Sequence, residues 1–361
     1  MTKLVKFSLF LIIFYTFSSC GVTSSNEESN KDKQGENYWL VPEGQIVDGG
    51  PGRGGIPSID NPRFIDAKDV IFMDSTDLVI GIKTGNEIKA YPHRILNWHE
   101  IVNDKIGSKK FALTYCPLTG TGICWNRTIN DTLTEFGVSG LIYKNNLIPY
   151  DRRTDSHWSQ MKNQSIEGEL IGHKIQTIDV IETKWSTWLK AYPTSKVLST
   201  NTGFAKRYGW YPYGNYKTDH DQFLFPRGFK SDDRLPAKTR VHGVIINQTA
   251  KTYPIQEFDQ HLQVINDQVN GKSIVVFGSS QLNIAESFGR TLEDGTELVF
   301  EPVHQALPVV MKDQEGNRWN IYGEAVEGPR KGTKLPTLKS YNGFWFAFVD
   351  FFRGVQLHNF D

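Results

Sequence analysis

Gly81–Pro92 reads GIKTGNEIKAYP, and 162 residues later Gly243–Pro254 reads GVIINQTAKTYP. Each stretch sets apolar residues on either side of a Gly- or Asn-bearing turn and closes on Tyr-Pro. In the first, the pattern predicts a strand at Leu78–Ile82, a turn at Lys83–Glu87 and a second strand at Ile88–Ala90. Working outward, Lys89 matches Lys251, and Phe111–Thr114 matches Ile274–Phe277. A one-residue insertion then aligns Asn103-Asp104 with Asn266-Asp267. Trp158, Gly168, Gly172 and Trp185 find counterparts in Trp319, Gly328, Gly332 and Trp345.

Shared order and spacing at this length point to a duplication, as two similar domains or two halves of one structure. Two unrelated runs of glycine-bounded hairpins are the plainer alternative. Both copies are dominated by short strands, with one clear short helix in each. The expected fold is α+β and predominantly β, internally duplicated, with a pseudo-symmetric two-half architecture. In the first copy, Arg94–Asn103 (RILNWHEIVN) carries apolar residues three to four apart and predicts a helix. Lys110–Tyr115 predicts a strand, because Phe, Leu, Thr and Tyr suit a pleated surface.

The expected organisation has five parts. Residues 1–20 form a lipoprotein signal peptide: Lys3 and Lys6 precede an apolar run at Leu9–Phe17, and Ser18-Ser19 precede Cys20. That run is shorter than the roughly 20 residues a membrane span needs, and Cys20 is the expected lipidation site. Residues 21–37 are a polar tether. Residues 38–206 hold the first copy, 207–239 an aromatic Pro/Gly-rich connector, and 240–361 the second copy. The expected location is the bacterial cell envelope, lipid-anchored and periplasmic or outer-membrane associated, with the membrane as partner. Forty basic and forty acidic residues cancel, so nothing suggests nucleic acid as a partner. The glycine-rich stretch Ile46–Pro57 lacks the spacing of a phosphate-binding loop and reads as structural.

Two cysteines, Cys116 and Cys124, lie in FALTYCPLTGTGICWNR, residues 111–127, opposite a stretch of the second copy without cysteine. Three readings are open. They could form a structural disulfide, or Cys116 could be a reactive thiol with His99 or His157 as base. They could also ligate a transition metal together with His99 or His157; any other cofactor is unknown. The remaining alternative is two unreactive buried thiols. Asp151, Arg153, Ser156, His157 and Gln160 form a polar cluster that could supply an acid, a carboxylate clamp and donors. Its plainer reading is a turn whose Asp and Ser bond their own backbone.

Several of these stretches together resemble a known family, the bacterial proteins with the domain of unknown function DUF3179, over roughly residues 46–361. The likeness is carried by Gly54–Pro62, Ala90–Pro92, His99–Asp104, Thr114–Leu118, Tyr150–Thr154, Trp158–Gln160 and Pro212–Gly214. Proteins of this family commonly carry a second cysteine where this chain has Thr119, which weakens a close-spaced cysteine pair and leaves Cys116 as the shared thiol. The resemblance brings no activity or substrate with it. The leading expectation is thiol- or metal-dependent chemistry or sensing at Cys116, with Cys116, His157, Asp151 and Arg153 as catalytic candidates and Cys116, Cys124 and His99 as metal ligands. The alternative is a non-catalytic binding or scaffold protein with a Cys116–Cys124 disulfide, binding an unidentified small molecule or protein through the aromatic stretch Tyr208–Phe229.

Overall fold

The computed structural model describes residues 38–227 and 232–360; the expected leader, Cys20 and the tether lie outside the described residues. The fold is mixed α+β and mostly sheet. The Gly81 stretch forms the expected hairpin, Leu78–Thr84 with Glu87–Pro92, in a five-stranded sheet. Its strand order is Ile181–Lys184, Leu78–Thr84, Glu87–Pro92, Lys196–Leu198, Phe64–Asp66. The Gly243 stretch pairs Arg240–Ile246 with Thr249–Pro254 in a sheet ordered Lys339–Phe344, Arg240–Ile246, Thr249–Pro254, Gln356–Leu357. In each sheet the second strand of the hairpin takes a parallel neighbour.

Two larger antiparallel sheets follow each hairpin, and the first segment adds a two-stranded one, Thr128–Ile129 with Thr132–Leu133. The first segment has Ile101–Ile106, Lys109–Cys116 and Thr121–Asn126, then a meander from Phe136–Tyr143 to Gln164–Glu167. The second has Gln263–Val269, Lys272–Ser279 and Ile284–Gly289, then a meander from Phe300–Pro302 to Ala325–Glu327. Local contacts recur with the strands. Asp104 accepts from the Tyr91 hydroxyl at 2.6 Å and pairs with Lys89 at 2.8 Å; Asp267 does the same for Tyr253 at 2.7 Å and Lys251 at 2.6 Å. The buried indole N–H groups of Trp158 and Trp319 donate to Asp151 and Asp313, at 3.1 and 2.9 Å.

Three seven-residue helices accompany the sheets: α1 (His93–His99), α2 (Trp185–Ala191) and α3 (Trp345–Phe351). The expected helix at Arg94–Asn103 therefore stops four residues early. Glu100 turns to φ 58°, and Ile101–Ile106 pairs with Lys109–Thr114 as a strand. Ile101 and Val102 fit a helix face and a pleat equally well by spacing, and their β-branched side chains with a strand partner decide for the pleat.

Asn37–Asp361 forms one compact unit, with cores drawn from both segments. One core joins Cys116, Trp125 and Trp158 to Val241, Trp345 and Phe348. Another joins Val79 and Trp188 to Val275, Phe277 and Trp319. Within each segment, glycine lets a hairpin strand lie close against its helix: a Cβ on Gly81 would lie 1.9 Å from the Trp188 ring, and one on Gly243 would lie 2.0 Å from Phe348.

Candidate functional site

Cys116 ends the strand Lys109–Cys116, and the turn Pro117–Gly120 brings the chain back so that Cys116 faces Thr121 and Leu113 faces Cys124. Side chains alternate along a strand, so Cys116, three residues after Leu113, points to the face opposite Cys124. Cys116 belongs to the core shared with α3, whereas Cys124 packs with Ile80, Tyr91 and Leu113. Both are free thiols, and both are buried. The Cys116–Cys124 disulfide of the alternative reading is thus corrected: the two sulfurs lie on opposite faces of the sheet. The same separation keeps the pair from ligating one metal ion. Among the described residues, no group of three or more His, Cys, Asp and Glu side chains is placed to hold a metal.

The surroundings of Cys116 are polar on one side and aromatic on the other. Its Sγ lies 3.5 Å from the Asn145 carbonyl, to which it donates. Beneath the turn, Gln160 accepts from Thr121 Oγ1 and Asn146 Nδ2, each at 2.7 Å, and donates to Thr114 Oγ1 at 3.0 Å. Asn146 also donates to Thr119 Oγ1 at 2.9 Å. All five side chains are buried, and a fully bonded network of this kind fixes one arrangement of the turn. Above it, the Tyr211 and Tyr216 hydroxyls donate to the Pro117 and Leu118 carbonyls, at 3.3 and 2.9 Å.

Glu100 completes the cluster. It is buried, and it accepts from the Tyr213 hydroxyl at 3.3 Å. Burial pushes its carboxyl up to about 7, with the Tyr213 bond opposing the shift. Burial also pushes the Cys116 thiol up to about 11, the Glu100 charge adding to the rise and hydrogen bonding with Thr119 opposing it. At neutral pH Cys116 is therefore a protonated thiol, not the thiolate that nucleophilic or ligand chemistry requires.

The other expected site residues have partners of their own or face solvent. His99 is fully engaged, with Nδ1 at 2.7 Å from the Pro57 carbonyl and Nε2 at 2.7 Å from the Tyr208 hydroxyl. His157 bonds Glu167 at 2.6 Å and lies against the Trp39 ring. Asp151 accepts from the Thr154 N–H and hydroxyl, both at 2.8 Å, and from Trp158. It is the knot of a turn, as the plainer reading has it. Arg153 is exposed on that turn. Reasoning from sequence missed Glu100, Asn146 and Tyr216. Glu100 and Tyr213 lie inside the His99–Asp104 and Pro212–Gly214 runs, where the signal was present but was read as family likeness alone.

An open groove of about 1020 Å³ lies elsewhere, where residues 162–177 meet residues 245–249, 337–339 and 351–353. By contrast, Cys124 borders a cavity of only about 40 Å³, with Glu182, Glu286 and Asn342 among its walls.

Fold and site together define a β-rich α+β protein with a buried thiol–carboxylate cluster and a separate open groove. The chain belongs to the family described as protein of unknown function (DUF3179), which matches residues 53–354. No curated protein and no solved structure matches it. The matched span takes in Glu100, Cys116, Tyr213 and the groove.

Proposed function

We propose that the chain is a non-catalytic binding protein of the bacterial cell envelope, held to the membrane by a lipid on Cys20 and taking its ligand in the groove between its two segments. The observation that carries this reading is the groove itself: its volume of about 1020 Å³ matches the largest small-molecule sites, whose range runs to roughly 1,000 Å³. The Cys116 cluster then serves the fold, joining the turn at 117–120 to the Tyr211–Tyr216 stretch and to α3. Duplication of an ancestral half is part of the proposal. The like strand orders, the recurring Lys–Tyr–Asp contacts and the paired glycines at 81 and 243 support it. Cores shared across the segments favour two halves of one structure over two domains.

Native mass spectrometry of the protein isolated from its own envelope tests the reading. The expected result is a bound mass released on unfolding, lost in a Lys174→Glu/Arg353→Glu variant and kept in Cys116→Ser. The reverse pattern overturns it. For the anchor, Cys20→Ser should move the protein from the membrane to the soluble fraction, and retention in the membrane fraction would refute the anchor.

A second reading, thiol chemistry at Cys116 with Glu100 as base, is favoured by one observation. Glu100 is a buried, titratable residue at φ 58°, ψ −33°. Strain and perturbed acidity coincide at functional sites more often than elsewhere.

A further inference from the structure

We propose that the groove binds a phosphate-bearing ligand with at least two negative charges and an apolar portion. The inference rests on the binding reading above and names the ligand class. Lys162, Lys174, Lys339 and Arg353 line the groove, and no carboxylate is among the described residues that do so. The chain as a whole is neutral, with forty residues of each sign, so this excess is local. Elsewhere lysines meet acids, as in Lys83–Glu324, Lys89–Asp104 and Lys251–Asp267. Two nearby acids are already engaged, Asp350 with Arg227 at 2.9 Å and Asp179 with Lys334 at 2.5 Å; in the adjoining cavity Glu182 pairs with Arg240, and burial pushes Glu286 up to about 8.

Lys339 shows the cost of this crowding. Its ammonium donates to the Lys162 carbonyl at 2.9 Å. Burial, with Lys162 and Lys174 adding, pushes it down to about 8. An anion in the groove relieves that repulsion. A single carboxylate would neutralise one of the four cations, whereas a phosphate group carries up to about two charges at neutral pH. Lysines act as point charges and suit phosphate without bidentate geometry. Phe351, Phe352 and Leu338 give the groove an apolar wall, which an inorganic ion alone would leave uncovered. Asn247, Gln248 and Thr249 add polar side chains to the lining.

Calorimetric titration of inorganic tripolyphosphate into the Asn37–Asp361 unit tests the charge requirement. Saturable binding that weakens with salt is expected. Lys174→Glu/Arg353→Glu, both at exposed positions, should weaken it about tenfold or more. Lys272→Glu, a charge change outside the groove, should leave it as it is. Circular dichroism and thermal melting establish that the variants fold. Co-sedimentation with vesicles containing phosphatidic acid, a phosphomonoester that carries up to about two charges, against phosphatidylcholine vesicles, separates the sources: binding lost in the same double variant assigns a lipid headgroup, and binding to tripolyphosphate alone assigns a soluble ester. No binding to either probe, or equal binding by the double variant, overturns the proposal. An uncharged mass seen by native mass spectrometry without tripolyphosphate binding would refute the anion class and leave the groove reading standing. Loss of the native ligand in Cys116→Ser would refute the groove reading itself.

Discussion

At pH 8, Glu100→Gln is expected to stabilise the folded unit by about 3 kcal/mol, while at pH 4 the same substitution is close to neutral. The sign follows from the proton. Burial raises the folded-state value from 4.5 to about 7, so the folded protein holds this proton more tightly than the unfolded chain does. Stability is therefore highest below the unfolded value, falls as pH rises towards about 7, and levels off above it. Glutamine occupies the same volume without a charge to bury and lacks this slope. Glu286, pushed up to about 8 by burial, contributes to both proteins and cancels in the difference. Urea unfolding of the two proteins between pH 4 and pH 9 measures it. Parallel curves across that range would mean that Glu100 ionises in the folded protein without penalty.

Gly243→Ala is expected to cost about 3 kcal/mol, at the upper end of the range for overpacking. A methyl group there meets three carbons of the Phe348 ring, at 2.0, 2.5 and 2.7 Å. That ring is wholly buried in the core shared with Cys116, so it has no solvent to move into. Gly81→Ala should cost a similar amount, since Trp188 presents its ring to the same position at 1.9 Å. Gly44→Ala, with nothing within 4 Å, is the neutral control. Equilibrium denaturation ranks the three, and a Gly243→Ala protein as stable as Gly44→Ala would contradict the tight strand-to-α3 packing.

Much of the first hairpin was legible, because Gly, Asn and Tyr-Pro mark turns by local chemistry that needs no tertiary context. Trp185 and Trp345 aligned in sequence, and both begin seven-residue helices. The pattern expects one short helix in each copy but places none at these tryptophans, since such short helices owe their stability to packing more than to pattern. Cysteine pairing shows how much one turn decides. Had the turn been placed at Pro117–Gly120, the period of two along the strand would have set Cys116 and Cys124 on opposite faces from sequence alone. The site was less legible. A buried carboxyl and an exposed one are the same letter, and Glu100 acquires its character only through burial in the folded chain, where its hydrogen-bond partner Tyr213 comes from 113 residues on.

Alkylation of Cys116 in the native unit, followed by mass spectrometry from pH 6 to pH 9, tests the central claim most directly. A neutral, buried thiol that serves the fold should react only as fast as the protein unfolds, with both Cys116 and Cys124 modified at once in denaturant. Rapid native modification of Cys116 alone, rising through a midpoint near the Glu100 value of about 7, would contradict the account and establish a working thiol–carboxylate pair.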